Sequence, residues 1–327
     1  ENEIVAIDRL LQWLEITVAL VTIDAIGCQR TFAQTIIDKG ADYLLALKGN
    51  QPALHDDVAL WFDDGREAGF AGVELFEPQA APDGDFTAVP DQLPNPERPE
   101  VFGPAIAAAD RDQQVLVLAT DPDADRLAVA APDPDGLWRV MTGNQLAVVL
   151  LDHLLRHHDC PPEAYVLTTL VTTPLLGELC RTHGVQAVND LPVGFKHIAG
   201  EIEQRGPGGF VFGCEESIGF QAGTYCRDKD AAVAALLIAD IALELHADNQ
   251  TIWHRLDDIF SQHGRVDEFQ HSVIAHGPTG RRQIDHAMNS LRQRPPESTG
   301  GHAWTRVRDY QQHEIRSLPD NRAMGPL

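Results

Sequence analysis

The chain has 327 residues, 43% of them hydrophobic, and carries a formal net charge of -24. That length suggests two or three domains with ordinary cores, and the composition argues against disorder in either half. The acidic balance speaks against a nucleic-acid-binding surface, which needs clustered Lys and Arg, but a few local cations still suffice to hold one phosphate.

In chain order, Val18 to Ile23 is a β-branched apolar run suited to a buried strand. Thr31 to Lys39 has helical spacing, with Phe32, Ile36 and Ile37 on one side and Gly40 placed to end it. Tyr43 to Leu47 fits a second strand, giving a parallel strand–helix–strand unit. Near Asp63 to Gly65 the character changes, and Ala81 to Pro99, rich in Pro and Asp, predicts an irregular loop. Val115 to Ala119 is a strand that delivers the chain into Asp121; Leu127 to Ala131 returns, and Asp133 to Gly136 turns. Asn144 to His157 is a helix capped near Thr142, and Val166 to Leu170 is a strand. Thr173 to His183 and Asp230 to His246 carry apolar stripes at helical spacing. Asp320 to Leu327 shows no closing element and reads as truncated. The fold class is α/β, with mixed sheets flanked by helices.

The five cysteines, Cys28, Cys160, Cys180, Cys214 and Cys226, are odd in number and lack zinc spacing. They fit reduced thiols in a cytoplasmic protein. The best membrane candidate, Ala231 to Leu243, is interrupted by Asp240 and falls short of the roughly 20 residues a span needs, so no membrane partner is expected. No signal peptide is visible, and a start at Glu1 rather than Met points to a missing beginning.

The segment LATDPDADRLAV sets Asp121, Asp123 and Asp125 at alternate positions after a strand. Carboxylates this close repel one another, and a hard divalent cation such as Mg²⁺ relieves that repulsion; a solvated acidic turn is the alternative. An EF-hand fails, because Arg126 and Pro132 stand where that loop needs Gly and Glu. A haloacid-dehalogenase-like phosphatase would also use an Asp pair two apart after a strand, but here Asp125 is followed by a cation, Arg126. In GFVFGCEESIGF, Glu215, Glu216 and Ser217 suit recognition of sugar hydroxyls, or else form an exposed acidic loop. Asp230 reads as a helix N-cap; Arg227 and Lys229 bind phosphate or are solvated. Lys196, among apolar neighbours in VGFKHIAGEI, serves phosphate or an acid–base step, or snorkels at the surface.

Taken in order, TDPDADR, TGNQ, TTLVTT, VGFKHIAG, GCEESIG and RDKDAAVAA resemble the α-D-phosphohexomutase superfamily, in the phosphopentomutase-like branch of phosphoglucomutase and phosphomannomutase relatives. The resemblance runs from about Gly65 to Leu327. It implies two middle domains of a four-domain α/β fold, with Asp121, Asp123 and Asp125 holding Mg²⁺. It also implies catalytic roles for Arg126 and Lys196, sugar binding by Glu215 and Ser217, and phosphate transfer within a sugar phosphate. The family's phosphoserine loop, of the Thr-Ala-Ser-His-Asn-Pro kind, has no match here, and RPPEST at Arg294 to Thr299 only faintly echoes its phosphate loop. Inactivity of this chain alone is therefore expected.

Residues 1–64 resemble instead an insertion-sequence DDE transposase of the H-repeat-associated type, an RNase-H-like fold in which Asp24 would match one metal-binding acid. The other two acids lack counterparts, and acidic residues outnumber basic ones eleven to four in this stretch, so DNA binding is not expected. A gene fusion accounts for the joint, and a fusion product without catalytic role is the alternative function. The domain expectation is thus a transposase-like fragment over 1–64, a partial metal-binding domain over 65–150, a sugar-binding domain over 151–295 and a linker toward a phosphate-binding domain over 296–327.

Overall fold

The computed structural model describes residues 20–23, 30–39, 42–45, 76–80, 83–111, 115–158, 160–268 and 275–326. The chain divides into two compact units, Glu1–Gly264 and Arg265–Leu327. Within the first, β1 (Leu20–Ile23), α1 (Arg30–Asp38) and β2 (Asp42–Leu45) form the expected unit, with β1 and β2 parallel. Asp24 and Gly40 lie outside the described residues.

α2 (Glu77–Ala80) precedes the Pro- and Asp-rich stretch, which carries a short 3-10 turn at Pro90–Gln92 and leads into another at Pro99–Phe102, where proline fixes φ and removes a donor. After α3 (Gly103–Arg111), strands β3 (Val117–Thr120), β4 (Leu127–Pro132) and β5 (Trp138–Val140) form an antiparallel meander. The β4–β5 turn is set by Asp133, whose Oδ1 accepts from the Asp135 and Leu137 amides at 2.9 Å each, and by Gly136 at φ +81.

Helix α4 (Gly143–His157) starts in a capping box: Thr142 accepts from the Gln145 amide at 3.2 Å, and Gln145 accepts from the Thr142 amide at 2.9 Å. From Leu146 to Leu155 every residue of α4 is buried, so this stretch of the helix is a core element with no solvent face. Beyond it, β6 (Tyr165–Thr169), α5 (Leu175–Thr182), β7 (Gln186–Leu191), α6 (Phe195–Arg205), β8 (Phe210–Glu215) and β9 (Gly219–Ala222) build a four-stranded sheet of order β7-β6-β8-β9. β6 runs parallel to both β7 and β8, and β9 returns antiparallel. From β6 the chain passes first to β7 on one side and then to β8 on the other, and it is outside the carboxyl ends of strands at such a switch point that open sheets bind ligands. On one face Tyr165, Leu167, Phe195, Ile198, Ile202 and Phe210 make a core cluster. Helices α7 (Ala231–Ala247) and α8 (Ile252–His263) close the first unit.

The second unit holds α9 (Gly277–Gln293), a two-stranded ribbon of β10 (Ser298–Thr299) and β11 (His302–Ala303), and an antiparallel sheet of β12 (Arg306–Asp309), β13 (Glu314–Ser317) and β14 (Arg322–Pro326). The expectation of no closing element over Asp320 to Leu327 is corrected by β14, which pairs with β13. These strands are mostly polar and half-exposed, so they carry no apolar alternation that a sequence reading detects. Among the described residues no helix is long and apolar enough to cross a membrane.

One polar residue is central to α4. Asp152 is buried, and its Oδ2 accepts from Arg156 Nε at 3.0 Å and from Arg255 Nε and Nη2 at 2.8 and 2.5 Å. Removing one partner of a buried ion pair leaves the other uncompensated and costs about 3 kcal/mol or more. Asp152→Ala should therefore lower the unfolding free energy in urea by about 3 kcal/mol; a change within the range of ordinary surface substitutions would show that the two arginines are independently solvated.

Candidate functional site

Strand β3 ends at Thr120 and hands the chain to Asp121, Asp123 and Asp125, whose carboxylate oxygens lie within 4.8 Å of one another. The loop turns tightly: the Ala124 amide donates to the Asp121 carbonyl at 3.1 Å, and Ala124 adopts φ +55. Asp121 is buried; its Oδ1 accepts from the Arg126 amide at 3.1 Å and its Oδ2 from Arg126 Nε at 2.6 Å. Burial pushes the Asp121 carboxyl up, but the hydrogen bonds from Arg126 outweigh it and hold it below the usual carboxylate range. Asp125 moves the other way, raised by burial and by the neighbouring Asp121 against the pull of Lys229.

Arg126 is also held from a distance. Its Nη1 donates to Asn95 Oδ1 at 3.1 Å and lies 3.9 Å from Glu97 Oε2, both in the Pro-rich stretch. An open depression of ≈ 340 Å³ is lined by Leu93, Asn95, Asp121, Asp123 and Arg126. Lys229 supplies a second cation: its Nζ lies 2.8 Å from Asp125 Oδ2. Burial alone would lower the Lys229 ammonium, but the Asp125 carboxylate outweighs it and raises it, with Glu215 adding to the rise.

The β8–β9 hairpin brings the second set of residues. Glu215 pairs with Gly219 in register, leaving Glu216, Ser217 and Ile218 as a three-residue loop with Ile218 at φ +57. Such loops favour glycine at the left-handed position, and a β-branched residue there stores strain of about 1–3 kcal/mol. Ile218 is 3% exposed, so burial of its side chain offsets that cost. Glu215 is buried, and its Oε1 accepts from the Gly194 amide at 2.8 Å; burial raises its carboxyl. Gly194 sits at φ +119, a conformation side chains rarely adopt. Ser217 is half-buried. Lys196 is exposed in the first turn of α6, with Cγ and Cε each 3.9 Å from where a Gly194 Cβ would sit.

Each of the motifs joins this assembly. Thr169 Oγ1 donates to Glu216 Oε2 at 3.3 Å, and Asn144 Oδ1 accepts from the Thr173 amide at 3.0 Å. Two backbone bonds sew the loops together: the Leu127 amide donates to the Ile218 carbonyl at 3.0 Å, and the Ala231 amide to the Ala124 carbonyl at 3.0 Å. Arg126 and Gly219 form an isolated antiparallel bridge. Asp230 caps α7 as expected, accepting from the Ala232 amide at 2.8 Å. Arg227 lies apart, with Nε 2.5 Å from Glu203 Oε1.

The stretches that carry these loops match known proteins. Residues 65–136 match the family description Phosphoglucomutase/phosphomannomutase, alpha/beta/alpha domain II, and residues 142–262 match its alpha/beta/alpha domain III. The chain belongs to the phosphohexomutase superfamily. Phosphoglucomutase of Staphylococcus aureus strain MRSA252 is 32% identical over 250 residues, covering 76% of this chain and 45% of that relative. Strain MSSA476 has a relative with the same identity and coverage, so the chain spans about half the length of the curated relatives it matches, 45% in each case. Among solved structures, a phosphoglucomutase/phosphomannomutase family protein of Burkholderia thailandensis is 16% identical with a TM-score of 0.39, over 78% of this chain and 45% of that one. N-acetylphosphoglucosamine mutase of Aspergillus fumigatus, in complex with GlcNAc-6P and magnesium, is 14% identical with a TM-score of 0.35, over 92% and 63%. At these scores the structural likenesses add nothing to the assignment, which rests on the sequence matches.

In this phosphohexomutase chain the acid loop lies in the domain II stretch and Lys196, Glu215, Ser217 and Lys229 in the domain III stretch. Sequence reasoning missed Asn95 and Glu97 as anchors of Arg126 and left Lys229 open. The Asn95–Arg126 bond spans 31 positions, and nothing local signals it. Gly143 explains the glycine of TGNQ: a Cβ there would stand 1.9 Å from the Glu216 carbonyl oxygen and 2.9 Å from the Ile218 amide. Gly143→Ala should thus push the hairpin loop outward and cost about 1–3 kcal/mol, the usual penalty of overpacking, read as a lowered thermal midpoint. An unchanged midpoint would mean that the loop yields freely and is not held against α4.

Proposed function

We propose that this chain carries the metal-binding and sugar-binding half of a phosphohexomutase, shaped for phosphoryl transfer on a sugar phosphate such as that of glucose or mannose, and that the 327 residues alone do not turn over. The observation that supports it best is the pair of backbone bonds joining the acid loop to the hairpin loop and to the Lys229 segment. They bring a cation-binding carboxylate set, two cations and hydroxyl-accepting carboxylates into one assembly.

The donor set fits Mg²⁺: only carboxylate oxygens, within 4.8 Å of one another, beside an open depression. Asp121, Asp123 and Asp125 would hold the ion, and when bound it would supply charge neutralisation for a phosphoryl group in transfer. Arg126, fixed by Asp121 and Asn95, presents its guanidinium beside that loop without needing to reorganise. Glu215 and Ser217 accept and donate hydrogen bonds to sugar hydroxyls, with Glu215 oriented by the Gly194 amide. Lys196 and Lys229 flank this side as positive partners for phosphate or for proton transfer.

A mutase of this kind needs a group that holds the phosphate between its two attacks, and the phosphoserine string is not among these residues. Residues 1–64 keep their reading as a transposase-derived fusion segment, with the boundaries near 64, 150 and 295 given above.

Calorimetry should detect weak Mg²⁺ binding that Asp123→Ala abolishes; binding unchanged in that variant would remove the acid loop as the site. In a coupled dehydrogenase assay with Mg²⁺ and a sugar bisphosphate activator, glucose 1-phosphate and mannose 1-phosphate should give no turnover. Turnover that disappears in Asp123→Ala would show that a phosphate carrier exists elsewhere in the chain.

A further inference from the structure

A second cluster of ligating side chains lies on α4 and α7, apart from the acid loop. His153 and His157 stand one turn apart on α4, and Asp240 and Glu244 stand one turn apart on α7. His153 Nδ1 is 3.7 Å and His157 Nε2 is 3.8 Å from the same atom, Glu244 Oε2. All three potential ligand atoms fall within 4.8 Å of one another. From these positions we infer that His153, His157 and Glu244 form a binding site for a borderline divalent transition ion of the Zn²⁺ class.

Hydrogen bonding assigns a lone pair to each imidazole. His157 Nδ1 lies 3.0 Å from the His153 carbonyl oxygen, which can only accept, so Nδ1 carries the proton and Nε2 faces Glu244 with its lone pair free. His153 Nε2 lies 3.1 Å from Asp240 Oδ2, which likewise draws the proton to Nε2. That leaves His153 Nδ1 as the ligating atom, with Asp240 behind it in the carboxylate–histidine–metal arrangement typical of zinc sites. The second, independent sign is that His153 Nδ1 is buried with no hydrogen-bond partner, on a side chain only 5% exposed. A buried acceptor left unpaired costs stability unless something occupies it.

The donor set points away from Mg²⁺. Two imidazoles and one carboxylate suit Zn²⁺, Ni²⁺ or Cu²⁺, whereas Mg²⁺ takes oxygen ligands. Ligands on a tetrahedral Zn²⁺ stand about 3.4 Å apart, so the present spacing closes by small rotations. His157 and Glu244 are 41% and 48% exposed and free to make them, leaving the remaining positions to water. Arg156 approaches the other carboxylate oxygen, Glu244 Oε1, at 4.0 Å, and Oε2 stays available. Both helices begin at the candidate functional site, α4 at Gly143 against Glu216 and α7 at Asp230 after Lys229. An ion here would clamp the two helices about three to four turns further along.

The test is calorimetry with ZnCl₂ on the full chain in excess Mg²⁺, with thermal melts alongside. Wild type and Asp123→Ala should each bind about one equivalent of Zn²⁺ with a raised melting temperature. The exposed-position variants His157→Ala and Glu244→Gln should bind at least about tenfold more weakly and lose the thermal gain, and Asp240→Asn should weaken binding by about tenfold. Equal Zn²⁺ affinity in His157→Ala, loss of binding in Asp123→Ala, or no binding to wild type would each overturn the assignment.

Discussion

The arrangement depends on two main-chain hydrogen bonds, from the Leu127 amide to the Ile218 carbonyl and from the Ala231 amide to the Ala124 carbonyl. Each joins segments that are far apart in sequence, and each gives a partner to the amide of a buried residue, Leu127 or Ala231. They impose a steric condition on their surroundings. A Cβ at Gly143 would strike Glu216 backbone, and one at Gly219 would stand 2.4 Å from Lys229 Cδ. The glycines are therefore consequences of loop docking, and the left-handed Ile218 is the strained residue through which the hairpin reaches its partner.

Within that frame the acids are not equivalent. Asp121 is held ionised by Arg126, while Asp125 and Glu215 are raised by burial. The protein meets a local excess of negative charge with fixed cations: Arg126, anchored from Asn95, on one side, and Lys229 on the other. This keeps the acid loop assembled, since neither cation must be recruited from solvent.

Much of this was legible in the sequence for physical reasons. The helix over Asn144 to His157 with Thr142 ahead of it, the apolar strand ending in alternating aspartates and the Asp230 cap are local signals, and the structure carries each of them. What escaped was either non-local or had no apolar pattern. Glu216 meets Thr169 across 47 positions and Gly194 reaches Glu215 across 21, so pairing could not be read from spacing. Strands β12 to β14 pack around Asp309 and Arg316 rather than an apolar stripe, with Arg316 Nη1 donating to the Arg292 carbonyl at 2.7 Å. Hydrophobic periodicity is silent for such a sheet.

Helix α4 is apolar on nearly every side, and an apolar cylinder can seat itself at several angles about its own axis with similar burial. Asp152 and His153 remove that degeneracy. Adjacent residues point about 100° apart on a helix, and these two look toward different neighbours, Asp152 to Arg255 on α8 and His153 to Asp240 and Glu244 on α7. Only one azimuth satisfies both. The polar pair works as a key cut on two flanks: turning the helix about its axis would part Asp152 from Arg255 or His153 from Asp240.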